Sequence, residues 1–162
     1  MNQHTSTVEC RRGIQSSLPG TAALKNFVIQ SALLEALPDL CFVLDRSGQI
    51  LEVNSTAVAV LDTPVDTLLN AEFITLLEPS FEQRFRISLE ECFSHHHRSS
   101  AETHLILKDG SIIPIALSLS SYISTSTPDN DVCLVVARDI SETKNKELDL
   151  LRFYNVVTPP IP

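Results

Sequence analysis

Basic residues are scarce in this sequence, and they form no block. Its 162 residues include 12 Lys and Arg against 20 Asp and Glu, which gives a net charge of -8 at pH 7. Because this charge repels phosphate groups, neither nucleic acid nor an anionic membrane surface is expected as a direct partner. The chain also lacks an apolar signal region and any apolar stretch long enough to cross a bilayer. We therefore expect a cytoplasmic protein without membrane insertion.

Closely spaced cysteine pairs are lacking as well. The four cysteines, Cys10, Cys41, Cys92 and Cys133, are far apart, and no Cys-x-x-Cys pair occurs. Neither a zinc ribbon nor a redox dithiol is therefore indicated. Three of the four lie in apolar surroundings, which is typical of small buried side chains in a reducing compartment.

Catalytic motifs are missing too. There is no Gly-rich phosphate loop and no Gly-x-Ser-x-Gly, and the acidic residues are scattered over predicted turns and exposed faces. An enzyme is therefore not expected. The one compact group of metal-ligating side chains is His95-His96-His97, but adjacent loop residues converge poorly on one ion. A metal site there would need His104 or Glu102 as well, so a solvated polar loop is the favoured interpretation.

The residues that are present divide the chain into a core and two flanks. Residues 1–21 are polar and predict a disordered or loosely docked tail. Residues 22–37 carry apolar side chains at spacings of three and four, which predict an amphipathic N-terminal helix. Residues 38–140 form the predicted core domain. Residues 141–155 are predicted to form a C-terminal linker helix, followed by a second tail at residues 156–162.

The core mixes strand and helix patterns. Predicted strands span residues 40–45, 50–54, 102–108, 111–123 and 132–138. Turn signals at Gly48 and at Asp109-Gly110 close two hairpins. Short helices are expected across residues 57–77, and a longer amphipathic helix across residues 80–93. This order predicts an α+β domain with one five-stranded antiparallel sheet and its helices on one face.

The last predicted strand passes directly into the linker helix. Residues 132–138 are apolar up to Arg138, rich in β-branched side chains and too short for an independent helix, which favours a buried strand. Ser141 can act as the N-cap of the helix, with Glu142 in its first turn. Asp139 can accept backbone N–H groups or pair with a neighbouring Arg. We therefore predict that Arg138, Asp139 and Ser141 fix the angle between strand and helix.

Several short strings, in this order and at this spacing, carry a family resemblance that extends over roughly residues 32–151. They are Ala36-Leu37-Pro38-Asp39, Asp45-Arg46-Ser47-Gly48, Val53-Asn54, Lys108-Asp109-Gly110-Ser111, Pro114-Ile115 and Arg138-Asp139-Ile140-Ser141. Together they resemble the PAS family of sensor domains, whose exit motif usually has Thr in place of Ser141. The resemblance implies the strand order 2-1-5-4-3 and a cavity between the sheet and the longer helix.

The resemblance also implies a function. Members of the family sense and relay, so we expect a signal-transduction module that acts through its C-terminal helix on an output domain. A histidine kinase or a cyclic-dinucleotide enzyme is the expected kind of partner, and a homodimer through the flanking helices the expected assembly. The alternative is a small-molecule or haem-binding sensor whose cofactor sets the signal, which a visible absorption spectrum would distinguish. The remaining sequence after Leu151 holds no output domain, so the module is free-standing or part of a longer sensor.

Six apolar residues are expected to line the implied cavity, so a bound ligand would be largely apolar. They are Phe85, Leu89, Leu105, Leu117, Leu119 and Val136. A filled core is the alternative interpretation.

Resident cofactors are not expected. Haem would need His95 to act from just beyond the longer helix, because the predicted helix itself contains no His. The flavin-binding string of the family, Asn-Cys-Arg-Phe-Leu-Gln, is replaced here by Asn70-Ala71-Glu72-Phe73-Ile74, without the reactive Cys.

Overall fold

A computed structural model describes residues 32–122 and 131–157. The predicted N-terminal tail, most of the predicted N-terminal helix and residues 158–162 of the predicted C-terminal tail lie outside these residues. Residues 32–36 are helical and belong to a unit separate from the domain that begins at Leu37.

The described part of the domain contains strands β1 (Leu40–Leu44), β2 (Ile50–Val53), β3 (Ser99–Ile106), β4 (Ile112–Tyr122) and β5 (Val132–Asp139). Its helices are α1 (Ser55–Leu61), α2 (Val65–Leu68), α3 (Glu82–His95) and α4 (Ser141–Val157), with single 3-10 turns at Phe73–Leu76 and Pro79–Phe81. The strands form one antiparallel sheet in the order β2-β1-β5-β4-β3. The predicted α+β class and strand order are confirmed.

Two tight turns hold the hairpins. In the first, Gly48 has φ +87° and the Asp45 side chain accepts the backbone N–H groups of Ser47 and Gln49, both at 2.9 Å. In the second, Asp109 accepts the N–H of Ser111 at 2.9 Å, and the Ser111 hydroxyl is the main cause that lowers the pKa of the Asp109 carboxyl. Both predicted turns are therefore present, and each is fixed by the carboxylate that opens it.

Several element boundaries differ from the prediction by one to three residues, and two of these differences extend an element into a polar segment. β3 begins at Ser99 rather than at residue 102, because Ser99 and Ser100 pair with Leu119 and Ser118 of the long strand β4. α3 continues to His95 rather than ending at residue 93. The added residues are polar, which in the sequence is typical of a loop. They nevertheless extend the strand and the helix, because the backbone hydrogen bonds that extend an existing strand or helix do not require apolar side chains.

The core lies between the sheet and α3. Phe42 of β1, Phe73 of the first 3-10 turn and Phe85 of α3 are at most 2% exposed. Their rings are in contact, with centroid distances of 4.9 Å from Phe42 to Phe73 and 5.3 Å from Phe73 to Phe85. Burying one such side chain contributes about 1.5 to 3 kcal/mol, so this aromatic stack fixes α3 on the sheet.

Candidate functional site

Five of the six predicted cavity residues lie together in the core. Phe85 and Leu89 come from α3, Leu105 from β3, and Leu117 and Leu119 from β4, and all five are buried in one cluster.

The sixth residue, Val136, was assigned to the wrong face of the sheet. The core positions of β5 are Cys133, Val135 and Ala137, each fully buried. Side chains alternate along a strand, so Val136 projects from the opposite face, where it is half-buried. Val135 takes its place in the cluster.

Side chains fill the interior between the sheet and α3, where the Phe73 ring lies between those of Phe42 and Phe85. A small cavity of about 10 Å³ lies beside the first hairpin turn and α3. It is lined by Ser47, Gly48, Glu72, Ile74, Phe85, Arg86 and Leu89. This space admits about one water molecule, and it shares only Phe85 and Leu89 with the predicted lining.

The histidine cluster lies at the exposed end of α3. His95 is the last helical residue, which corrects the prediction that the helix contains no His, and His96 has φ 55°. The rings of His95 and His97 have centroids 6.1 Å apart, and His96 Nδ1 lies 3.3 Å from the hydroxyl of Ser121. These three side chains are not arranged to hold a metal ion.

The side chains proposed to complete a metal site have other partners. His104 Nδ1 lies 2.7 Å from a carboxylate oxygen of Glu78. The pKa of the Glu78 carboxyl is lowered by a hydrogen bond from Ser80 and next by His104. Glu102 forms an ion pair with Lys144. Among residues 32–122 and 131–157, no group of three or more His, Cys, Asp or Glu side chains is arranged to hold a metal ion.

The exit from the sheet is held by backbone and carboxylate contacts. Asp139 Oδ1 accepts the N–H of Ser141 at 2.8 Å. The Ile140 N–H donates to the Pro114 carbonyl of β4 at 3.0 Å, and the Ile140 carbonyl accepts the first helical hydrogen bond from Lys144 at 2.9 Å. Ser141 is therefore the first helical residue and not the N-cap, so the predicted capping role of Ser141 is wrong. The N-terminal N–H of the helix is satisfied by Asp139 instead.

Arg138 pairs with the start of the domain and not with Asp139. Its Nε and one terminal nitrogen both lie 3.3 Å from Asp39 Oδ2. The backbone carbonyl of Asp39 in turn accepts the side-chain amide of Asn54 at 2.9 Å. The ion pair between Arg138 and Asp39 therefore links the end of β5 to the residues just before β1.

A second anchor connects α4 to the far edge of the sheet. Lys144 Nζ lies 2.8 Å from Glu102 Oε2 on β3 and 3.5 Å from Glu147 Oε2. The hydrogen bond that the Lys144 ammonium donates to the Glu102 carboxylate is the main cause that raises the pKa of Lys144. Sequence reasoning missed this pair, because the two residues belong to distant segments that only the fold brings together.

Comparison with known families gives a match to the family described as the PAS fold over residues 30–140, more than half of the chain. The chain belongs to the PAS family. A comparison with curated proteins finds no match.

Solved PAS domains have the same fold. The PAS domain of an HTR-like protein from Haloarcula marismortui is 27% identical, with a TM-score of 0.60 over 74% of this chain and 95% of that one. A domain of a sensory box sensor histidine kinase/response regulator from Geobacter sulfurreducens is 22% identical, with a TM-score of 0.56 over 70% and 94%. The PAS domain of a Colwellia psychrerythraea protein is 15% identical, with a TM-score of 0.62 over 72% and 98%.

The distal part of α4 exposes several large apolar and aromatic side chains. Five large side chains there are at least half exposed: Leu148, Leu150, Leu151, Phe153 and Tyr154. Clusters of exposed apolar side chains are a common feature of interaction sites. None of the described helices is long and apolar enough to cross a membrane.

Proposed function

We propose that this PAS domain is a cytoplasmic sensory and interaction module that relays a signal through α4 to an output partner. A histidine kinase or a cyclic-dinucleotide enzyme fits that role, and the solved domain from Geobacter sulfurreducens belongs to a sensor histidine kinase. In this proposal the module has no catalytic activity and no resident cofactor. The observation that supports this proposal best concerns α4. Its N-terminal end is held by Asp139, and its C-terminal half exposes apolar side chains.

The relay works through β5. Cys133, Val135 and Ala137 of this strand lie in the core, and Asp139 at its end holds the first turn of α4. A change in the core that shifts β5 also shifts the root of α4, and a signal acts by favouring one position of the helix over another. Movements of β4 and β3 reach the start of α4 in the same way, through the contacts of Pro114 with Ile140 and of Glu102 with Lys144.

Replacing Asp139 with Ala tests this relay at its root. The variant removes the acceptor of the Ser141 N–H while leaving the buried sheet unchanged. Loss of a capping carboxylate weakens a helix end by enough to speed amide exchange about fivefold. We expect this increase in residues Glu142 to Leu151, measured by hydrogen exchange.

Asp139→Asn is the matched control, because the amide oxygen can still accept the same hydrogen bond. It should keep exchange near the wild-type rate. Wild-type protection of α4 in the Ala variant would show that Asp139 does not hold the helix, and the relay proposal would fail with it.

We further propose that a second copy of the chain covers the apolar surface, through its flanking helices. Leu148 and Leu151 are three positions apart on α4, the spacing at which paired helices pack against each other. Replacing both with Glu should lower the dimer affinity by at least about 100-fold, because about 1.5 to 3 kcal/mol of burial is lost per Leu. Sedimentation velocity across a concentration series measures this affinity.

Asn145→Glu on the same helix is the control for added negative charge, since Asn145 is already polar and exposed. It should leave the sedimentation profile unchanged. An identical association state for wild type and the double Leu variant, whether monomer or dimer, would contradict the proposed interface.

A further inference from the structure

Two buried thiols that are far apart in the sequence meet in the core. Cys92 lies on α3 and Cys133 on β5, and both side chains are fully buried. Their sulfur atoms are 3.8 Å apart, so the thiols are in van der Waals contact and one can donate to the other. No spacing motif reveals this pair, because 40 residues separate the two positions in the chain.

We propose that Cys92 and Cys133 form a redox-active pair, which an oxidant of the peroxide class converts into an intramolecular disulfide that serves as an input to the module. The input role rests on the relay through α4 proposed above. The disulfide itself is a modification of the core and stands independently of that relay.

The reaction is balanced by one peroxide molecule. One thiolate attacks a peroxide oxygen, the O–O bond breaks, and a sulfenic acid forms while the released hydroxide takes a proton to become water. The second thiol attacks the sulfenic sulfur, so the S–S bond forms, the S–O bond breaks, and a second water leaves. The two cysteines together lose two protons and two electrons, and the peroxide accepts them.

The bond changes the geometry of the core. A disulfide has an S–S length of about 2.05 Å, so the sulfurs must approach each other by about 1.8 Å from their present contact. Side-chain rotation and a small shift of α3 toward β5 supply that movement in a close-packed interior. Because Cys133 and Asp139 lie on the same strand, the shift reaches the residue that holds the root of α4.

Burial sets the speed of the reaction. It raises the pKa of the Cys133 thiol, and the neighbouring Cys92 raises it further. The nucleophilic thiolate is therefore scarce at neutral pH, and oxidation proceeds through transient opening of the core. The pair would then respond to sustained rather than brief oxidation, and the closed core would protect the disulfide from reductants.

Cys41 provides the matched control. It is also fully buried, but it lies on β1, and its thiol donates to the Asp39 carbonyl at 3.6 Å. Burial and local chemistry are thus similar, while the contact between two sulfurs is specific to Cys92 and Cys133 among the described cysteines.

The test uses the full chain with Cys10→Ser, which prevents cross-linking between molecules through the N-terminal cysteine. The protein is treated with hydrogen peroxide, alkylated under denaturing conditions and mapped by mass spectrometry. We expect a linked peptide pair with Cys92 and Cys133, lighter by two hydrogen atoms, in this protein and in its Cys41→Ala variant. Cys92→Ala and Cys133→Ala should not form it.

If either of these Ala variants fails to fold, peptide mapping of the parent chain and of Cys41→Ala decides alone. Free Cys92 and Cys133 after prolonged oxidation would overturn the proposal, and so would a cross-link through Cys41 or between two molecules.

Hydrogen exchange of the oxidised and reduced chain tests the input role. We expect at least about a twofold change in exchange of residues Glu142 to Leu151 on disulfide formation, since a root contact of α4 is displaced. A disulfide that forms without changing α4 would overturn the input role. The relay proposal would then still be judged separately, by Asp139→Ala, which involves no cysteine.

Discussion

Phe85→Ala is expected to destabilise the domain by about 3 to 5 kcal/mol. Phe85 is 2% exposed, and its ring centroid lies 5.3 Å from that of Phe73. Truncation removes the contact of α3 with the aromatic stack and leaves a space that the rigid sheet on the other side cannot fill. The loss therefore combines lost apolar burial with a cavity term.

Urea unfolding followed by circular dichroism measures the change. Ile87→Ala is the control on the same helix, because Ile87 is 51% exposed and its truncation should cost less than about 1 kcal/mol. A Phe85 variant that loses no more stability than the Ile87 variant would show that the aromatic stack does not fix α3.

The sequence predicts the fold well where local signals agree. Turn residues such as Gly48 and Asp109-Gly110 mark the hairpins, and α3 shows its buried face through Phe85 and Leu89 at a spacing of four. These signals depend on neighbouring residues only, so they can be read without knowing the tertiary structure.

The face of β5 could not be predicted in the same way. Residues 132–137 are apolar at every position, so the usual alternation of polar and apolar side chains is missing. The choice between Val135 and Val136 for the core depends on register with β1 and β4, where Val135 lies opposite Phe42 and Leu119. That register is a tertiary property, which is why Val136 was placed on the wrong face.

Only those contacts of the candidate site that join residues close in the sequence could be predicted. Asp139 accepts a backbone N–H group, as the sequence predicted, but this N–H belongs to Ser141, which was predicted to be an acceptor at the N-cap. The pairs Arg138–Asp39 and Lys144–Glu102 join distant segments, and charged residues on exposed faces have many candidate partners. Their pairing could be assigned only once the sheet order had placed them side by side.

Asn54→Ala is expected to destabilise the domain by about 2 to 4 kcal/mol, because it removes the partners of three backbone groups. Asn54 is 1% exposed, and its Oδ1 accepts the N–H groups of Cys41 at 3.0 Å and Ala57 at 3.1 Å. Its Nδ2 donates to the Asp39 carbonyl at 2.9 Å. An Ala side chain can neither accept nor donate, so these groups lose buried hydrogen bonds.

The urea midpoint of Asn54→Ala should fall well below that of Ser55→Ala, an exposed neighbour at the first helical position of α1. Asn54→Asp should give an intermediate value, since a carboxylate keeps the two acceptor contacts but cannot donate to Asp39. Because Asp39 also binds Arg138, losing the Asn54 contact should speed hydrogen exchange at the end of β5 as well. Equal midpoints for the Asn54→Ala and Ser55→Ala variants would mean that these hydrogen bonds do not stabilise the link between β1 and α1.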